Sequence, residues 1–564
     1  MAEFRISSGG SDAASAFDAA LAEARALPGA DTITIEAGEY DLARAIQLTK
    51  ADSGTTFIAE GEVVLSGGDR PISLIHIDGA SDITIDGLTF TNTAGSGDFD
   101  NSRAAVEISG EENGEATSNI TITDSTFENV AVGVSTFWGA NHVSVLDSKF
   151  TDTWGAAINF NDGSFQNTAS GNAILRAGAR YVDASGIEMA ETWGNTISHN
   201  TLKDLPRHGI EEQNWEPGNK SGGNLIEYNR ITNYMGATED GGAIYLFGGD
   251  DPFTPYASTI QYNRIEGTAD DFSWGIYLDD LVNGANVVGN WVDGGGVANM
   301  MIHGGDRNEV ANNVLLNGGQ YGITVQTGLV DPGPIRFDNI HHNVVAPGAF
   351  GIWGASDAAP QQWHDNIYVG TEGLFGWDFE PFELWQAAGG DKGTVVIDSI
   401  DGGIGDPDNP GDGPGPGNLP EFPGGGFDPD LPNFRPDWDP ILDRPDPPTE
   451  PEEPGVPLNV LVLQLSADYR VVEPQFIVSL DGEEVGEGSV EAIHGEGTDR
   501  FVFRGDWSPG EHELTIQFTN DNPVRNLWAE DVFFAGQTYS GPNGQDVNIG
   551  SLPGDRLTLT VGSA

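Results

Sequence analysis

The residues of this chain best suited to chemistry lie in one stretch of its middle: Asp240 in DGGAIYLF, Asp279 and Asp280 in GIYLDD, and His303 in MIHGG. Carboxyls sharing a partly desolvated groove take different pKa values, so one can protonate a leaving oxygen while another acts as base or nucleophile. Each of these residues borders a short strand, and strand side chains alternate between two faces. Aligning the strands puts Ile187, Ile210, Ile244, Ile276, Met300, Ile323 and Ile352 in one inward column. Met189, Leu246, Leu278, Ile302 and Val325 form another, with Glu212 as its polar exception. The alternate positions should face solvent: Ser135, Asn159, Glu188, Glu211, Tyr245, Tyr277, Met301, Thr324 and Trp353, then Phe137, Asn161, Ala190, Gln213, Phe247, Asp279, His303, Gln326 and Ala355. With rungs about 4.8 Å apart, Glu188/Glu211 and Asp279/His303 become adjacent pairs. This reading makes Asp240, Asp279, Asp280, His303 and Glu211 the catalytic candidates, and Glu188, Tyr245, Tyr277 and Trp353 the substrate-binding ones. Each also has a plainer reading: solvated glutamates, a stacked tyrosine pair, a turn at Asp279–Asp280, a structural histidine. Their joint arrangement is what points to the cleavage of sugars. No His-Glu-x-x-His or EF-hand pattern occurs in this part, so no cofactor is expected there.

The elements that must hold these residues repeat. DITIDGLTF, NITITDSTF, HVSVLDSKF, NTISHNTL, NLIEYNRI, STIQYNRI, ANVVGNWV, NEVANNVL and FDNIHHNVV each read as a short strand, a polar turn and a second strand. Ser125, Ser148, Asn200, Asn229, Asn263, Asn290, Asn313, Asn343 and Asn366 fall in register, 23 residues apart at the tightest. Stacked Asn and Ser side chains at one turn can bond along the column. A third strand opening on a small residue completes each unit, as in GIEMA, GIEEQ, GIYLD and GITVQ. Three short parallel strands per coil of about 23 residues predict a right-handed parallel β-helix, all-β in class. The N-terminal SDAASAFDAALAEARAL has helical spacing and Ser11 as a plausible N-cap; a helix there would plug the first coil's open edge.

Composition bounds the partners. Lys+Arg 24 against Asp+Glu 87 leaves a net charge of −63, which repels nucleic-acid backbones and anionic membranes. There is no cysteine, so neither disulfides nor thiolate–zinc sites hold the fold. No apolar run approaches a membrane span, and no basic-then-apolar leader opens the chain. Acidity, the lack of cysteine and the missing leader together suggest a secreted bacterial protein exported without a cleaved N-terminal signal, and a monomer. Sixteen of the 32 prolines fall in residues 401–457, so that segment cannot keep a hydrogen-bond ladder and reads as an extended linker. The expected organisation is a cap over 1–30, the β-helix over 31–400, the linker over 401–457 and a β-sandwich over 458–564.

The runs DGGAIYLFGGD, GIYLDDLVNG and MIHGGDRNEVANNV, with TITIEAGEYDLARAIQLTKADSGTTFIAEGEVVLSGG before them, resemble secreted carbohydrate-active β-helix enzymes. The likeness is to glycoside hydrolase family 141 and, less closely, family 120, over residues 10 to 380. It implies a hydrolase of plant-type polysaccharides such as xylan, with two aspartates about forty residues apart; Asp240 and Asp279, or Asp280, fit. The chain lacks the extra β-domain that members often carry between early coils. EPQFIVSLDG with IQFTNDNPVRNLWAEDVFFAGQTY resembles the calcium-dependent xylan-binding modules of families 60 and 36. That resemblance implies a loop Ca2+ that sugar hydroxyls help to coordinate. Glu473, Asn520, Asp521 and Glu530 are the ligands carried over and Trp528 the aromatic; oxygen-only ligands suit calcium. NPV stands where the family often has an acidic residue. A polysaccharide lyase or C5-epimerase on the same fold, and a non-catalytic polysaccharide-binding surface protein, are the alternatives to a hydrolase.

Overall fold

The computed structural model describes residues 2–7, 13–27, 29, 31–95, 103–110, 117–214, 221–248, 258–280, 282–305, 307–326, 339–346, 349–353, 362–370, 374–375, 380–381 and 393–397, and in the C-terminal part 460–467, 475–490, 499–504, 512–518, 527–534, 537–540, 547–550 and 556–561. Two compact units result, Met1–Asp443 and Arg444–Ala564. The linker over 401–457 and the N-cap residue Ser11 lie outside the described residues.

The first unit is a parallel β-helix. One coil shows the pattern: strands Ser118–Thr123, Thr126–Glu128 and Val132–Phe137 each pair in parallel with their counterparts one coil on, Asn141–Leu146, Lys149–Thr151 and Ile158–Asn161. The third strands form a 12-stranded sheet. The first and second strands belong to one 26-stranded sheet, because the long strands Asp31–Asp41 and Thr55–Arg70 run round the corner between those two faces. Inward side chains from all three faces make one core that extends from Ile6 to Tyr368 and contains the stacked rings of Phe90, Phe127 and Phe150. The small residue opening each third strand has a steric cause. A Cβ on Gly275 would sit 2.3 Å from Val292 Cγ1, and one on Gly322 would sit 2.0 Å from Val345 Cγ1.

The helix Ala13–Ala24 buries Ala14, Phe17 and Leu21, with Phe17 edge-on to Tyr40 at 5.9 Å. It closes the first coil as its spacing predicts. A strand the spacing does not predict, Ala2–Ile6, precedes it and pairs in parallel with Asp31–Ile35.

The polar column at the first-to-second-face turn is buried and continuous. Each backbone N–H donates to the side-chain oxygen of the next rung, from Ser125 through Ser148, Asn172, Asn200, Asn229, Asn263, Asn290, Asn313, Asn343 and Asn366 to Thr394, at 2.7–3.1 Å. From Asn172 to Asn343 each Nδ2 also donates to the next Oδ1 at 2.9–3.0 Å. Asn172 was absent from the sequence column, and a second run at another turn, through Asn167, Asn195, Asn224 and Ser258, was not anticipated.

The second unit holds two antiparallel sheets, a β-sandwich. One contains Val460–Ala467, Asp499–Arg504, Leu527–Phe534, Gln537–Ser540 and Val547–Gly550; the other contains Gln475–Leu480, Glu483–Ser489, His512–Phe518 and Arg556–Val561. The LDGEEVG turn is a tight hairpin with Asp481 and Gly482 both at positive φ.

The ladder makes a direct prediction. Asn229→Leu takes the acceptor from the buried Asn200 N–H and Nδ2 and the Nδ2 donor from the Ile197 carbonyl, while Asn263 Oδ1 keeps the N–H of residue 229. At roughly 1–3 kcal/mol for each buried orphan, denaturant unfolding should show a loss of about 3 kcal/mol or more. Asn229→Ser, which restores the residue type found at position 148, should cost distinctly less.

Candidate functional site

The acidic and aromatic residues meet on the outer side of the third-strand sheet. The strands Gly241–Phe247, Ser273–Asp279 and Ala298–His303 are neighbours, with Tyr245 opposite Tyr277, Tyr277 opposite Met301, and Leu278 opposite Ile302. This register places Asp279 beside His303. His303 Nδ1 lies 2.6 Å from Asp279 Oδ1, the Tyr245 hydroxyl donates to Asp279 Oδ2 at 2.6 Å, and the Asp280 N–H donates to Asp279 Oδ1 at 2.9 Å. The Tyr277 hydroxyl is 3.3 Å from His303 Nδ1, and Asp280 Oδ1 is 3.7 Å from it.

Asp240 enters from the corner before its strand. Ala243 and Ile244 both point into the core, which breaks the alternation and marks a bend. Asp240 takes a left-handed backbone at φ 62° and stays exposed at its outer edge. Partial burial, together with the nearby Asp279 charge, lifts its carboxyl above the ordinary carboxylate range; His303 and Arg207 oppose that shift. Asp279 moves the other way. Burial pushes its pKa up, but the His303 and Tyr245 hydrogen bonds and the His303 charge outweigh burial and leave it below the usual value. His303 is raised despite burial, chiefly by Asp279 and then by Asp280 and Asp240. Both phenols are raised by burial and by Asp279, so they remain neutral hydrogen-bonding groups. The site therefore pushes its two carboxyls apart, Asp240 upward and Asp279 downward, the direction of division that acid–base cleavage uses.

A second group lies behind Tyr245. Glu211 is buried, accepts from Ser185 Oγ at 2.5 Å and from Gln213 Nε2, and lies 3.7 Å from His208 Nε2. Glu188 is half-buried and accepts from the Ser185 N–H at 2.9 Å. Glu211 was read as a solvent-facing catalytic candidate; it is buried, with its carboxylate held by Ser185 and Gln213. Sequence reasoning missed His208, which stacks on Tyr245 at 4.4 Å with the rings 7° apart. The signal was the Gly241–Gly242 pair: a Cβ at Gly241 would fall 2.2 Å from the His208 ring. Burial lowers His208 to about 4.

The outward columns are less open than alternation implied. Asn159, Glu211, Tyr277, Met301, His303 and Thr324 are buried; around Tyr277 and Met301 the cover is an apolar layer of Trp274, Ala298, Val297 and Tyr321 on the outer side of the sheet. Trp353 was aligned with Thr324. An irregularity between Tyr321 and Thr324 shifts the pairing, so Trp353 lies opposite Gln326 and Ile352 opposite Val325. The Trp353 side chain lies outside the described residues. The inward exception Glu212 is buried, receives Ser258 Oγ at 2.6 Å, and is raised by burial. Glu473, Asn520 and Asp521 lie outside the described residues, and of Trp528 and Glu530 only the backbone strand is described.

Asp279, Asp280 and His303 offer ligand atoms within 4.8 Å of one another, and His303 Nε2 is buried without a hydrogen-bond partner among the described residues. Both Asp279 oxygens are already occupied by protein donors.

Fold and site together define a parallel β-helix with an acidic, aromatic cluster on the outside of one face. A family model described as right handed beta helix region matches residues 72–226 and again 185–359, together more than half of the 564 residues, and the chain belongs to that family. No curated protein matches the chain. Among solved structures it is similar to the Azotobacter vinelandii mannuronan C-5 epimerase AlgE4 A-module, at 16% identity and a TM-score of 0.43 over 69% of this chain and 92% of that one. It is also similar to PfbA, a surface adhesin of Streptococcus pneumoniae, at 15% identity and a TM-score of 0.45 over 60% and 90%. A third similar structure is the catalytic domain of a GH87 alpha-1,3-glucanase in complex with nigerose, at 16% identity and a TM-score of 0.43 over 70% and 64%.

His208 yields a pH prediction. Its folded pKa of about 4 lies below the unfolded value near 6.5, so the unfolded state takes up the proton first. The stability it protects is present above pH 6.5 and is lost as pH falls toward 4, by up to about 3 kcal/mol. His208→Phe, which keeps a ring against Tyr245, should flatten the fall in unfolding free energy between pH 6.5 and 4 relative to wild type. An unchanged slope contradicts this assignment.

Proposed function

We propose that the β-helix cleaves a polysaccharide as a glycoside hydrolase, with Asp240 as general acid and Asp279 as the ionised carboxylate that acts as base or nucleophile. The observation that carries the reading is the chain Tyr245–Asp279–His303, with Asp240 close enough for the Asp279 charge to act on it. His303 and Tyr245 keep Asp279 ionised and aimed. Asp280 adds negative charge beside His303 and favours its protonated form. Tyr245, partly exposed and backed by the buried Tyr277 and Trp274, supplies ring surface for a sugar, and Glu188 a polar contact at its flank. A second reading, proton abstraction by a lyase or C5-epimerase, is favoured by His303, whose Nδ1 is held by Asp279 beside the neutral Tyr277 phenol while its Nε2 has no hydrogen-bond partner among the described residues.

Asp240→Asn and Asp279→Asn should each lower kcat on the polymer by about 10²–10⁴-fold with little change in KM or far-UV circular dichroism. An activated aryl glycoside, whose leaving group needs no proton, should rescue Asp240→Asn but not Asp279→Asn. The wild-type profile should fall on the alkaline side as Asp240 deprotonates, above the ordinary carboxylate range, and on the acid side as Asp279 protonates, below it. Product absorbing in the ultraviolet as an unsaturated uronide would select the lyase reading instead.

The C-terminal sandwich is proposed as a carbohydrate-binding module that holds xylan through Ca2+, on the residues Glu473, Asn520, Asp521 and Glu530 and the aromatic Trp528. In this reading the protein is secreted, acts as a monomer and meets its polymer outside the cell. The full chain should sediment with insoluble xylan in millimolar calcium and be released by excess chelator, and Asp521→Asn should weaken retention at least tenfold. Full retention in chelator refutes the calcium bridge.

A further inference from the structure

A second cluster of ionisable side chains lies away from the acidic site, at the turn between the first and second faces near the C-terminal end of the coil stack. The strands Glu309–Ala311, Asn339–His341 and Gln362–His364 pair in parallel, with Ala311, His341 and His364 on one line. The His341 and His364 rings stack at 4.8 Å, only 5° from parallel. His342, next in sequence, has a left-handed backbone at φ 53°. That conformation turns the chain so that its Nδ1 meets His341 Nδ1 at 2.7 Å. One ring nitrogen from each of the three histidines lies within 4.8 Å of the others. We infer that His341, His342 and His364 form a site for a transition-metal ion of the Zn2+, Ni2+ or Cu2+ type, distinct from the acidic cluster of the third face.

Three features support this. First, the donors are imidazoles, which suit zinc, copper and nickel and not calcium or magnesium. Second, His341 is buried and its other nitrogen, Nε2, is held by Glu309 Oε1 at 2.5 Å. A carboxylate behind a ligating histidine fixes the ring and raises its basicity; here it leaves Nδ1 to meet His342, while His364 lies stacked over the His341 ring with its own Nδ1 against Asp365 Oδ2 at 2.9 Å. Third, the Nδ1–Nδ1 contact of His341 and His342 aims two basic lone-pair positions at one point. A single proton can bridge them, and a metal ion can take its place. Nitrogens around a tetrahedral ion, at about 2.0–2.1 Å from it, are about 3.4 Å apart, so opening this contact and closing the His364 edge are both side-chain-scale adjustments. The ion would tie the coil at residues 339–346 to the one at 362–369. The histidines bring no acid–base partner to the third face, so the role is structural, a cross-link between coils.

The test uses the untagged full-length protein in millimolar Ca2+, which saturates oxygen-rich sites, with Zn2+ as the probe. Calorimetry or equilibrium dialysis should show one Zn2+ bound per chain at micromolar Kd or tighter, and the melting temperature should rise with Zn2+. His342→Asn, which keeps a residue tolerant of the left-handed backbone, and His364→Gln should each weaken Zn2+ at least tenfold and together at least a hundredfold, with unchanged circular dichroism. Asp280→Asn should leave Zn2+ affinity as in wild type. Absence of binding at 100-fold above that range overturns the site. So does retention of Zn2+ by the double variant, or its loss in Asp280→Asn, which would place the ion in the acidic cluster. Because His364 is the more exposed of the stacked pair, the single His364→Gln variant keeps the test intact if the double variant fails to fold.

Discussion

Everything functional in this molecule depends on one constraint: each coil must lie on the previous one in register, at the spacing of parallel strands. Backbone pairing alone sets the spacing but tolerates slippage, since a shift of two residues keeps the same faces inside and out. The buried amide column removes that freedom. Each Asn places its oxygen on the N–H of the coil before and its Nδ2 on the oxygen of the coil after, so a slipped coil would leave several buried groups unpaired. Residues far apart in sequence, Tyr245, Asp279 and His303, reach hydrogen-bond distance only because the coils between them are locked. Where the backbone register does slip, between Tyr321 and Thr324, the acidic cluster has already ended.

Electrostatics then works on a prepared frame. The chain carries a net charge of −63, so a carboxylate in a cluster of carboxylates would by default hold its proton more tightly. Asp240 follows that rule and Asp279 departs from it, because His303 and Tyr245 aim hydrogen bonds at both of its oxygens. The two behaviours belong to the same residue type, and they follow from different neighbours on different coils. The walls of the site matter as much as its acids. His208 sits flat against Tyr245 because Gly241 leaves room for it, and the stack holds the phenol that holds Asp279.

How much of this was readable in the sequence follows from which signals are periodic. The inward columns up to Ile323, the Asn column and the small residue at each third strand repeat at the coil period, the same alignment sets Asp279 beside His303, and the structure places them there. Asn172 escaped because its coil, GNAILRAG, lacks the β-branched pair that marks the others. The burial of Tyr277, Met301 and Thr324 escaped because alternation gives the side of the sheet a residue faces but not what then packs on that side; Trp274 and Tyr321 do so. Trp353 was misplaced because a local irregularity has no periodic signature. Glu211 was read correctly as outward and wrongly as free, since Ser185 and Gln213 were not seen to converge on it. The C-terminal hairpin at Leu480–Glu483 was legible from its turn residues; the strands Val547–Gly550 and Arg556–Val561 were passed over although GPNG at 541–544 and PGD at 553–555 mark turns before each of them.

The ladder also explains where such a fold can vary. The residue just before each rung of the Asn column often adopts the left-handed conformation: Asp124, Asp147, His199, Tyr228, Tyr262, Asn312, His342 and Asp365 all lie at φ between 48° and 57°. Asparagine, aspartate, histidine and glycine tolerate that region at smaller cost, whereas tyrosine there needs compensation. Here stacking between coils supplies it: His199, Tyr228 and Tyr262 lie ring on ring at 5.1 and 5.2 Å, and Tyr262 packs against Gly289 on the next rung. The rigid column inside therefore presents, one residue away, an outer column whose side chains are aligned at coil spacing and free to differ. Large rings placed there meet their neighbours face to face without any further design. His342 occupies the same column, beside the stacked pair His341 and His364, so the device that fixes register on the inside also brings three imidazoles to one point on the outside.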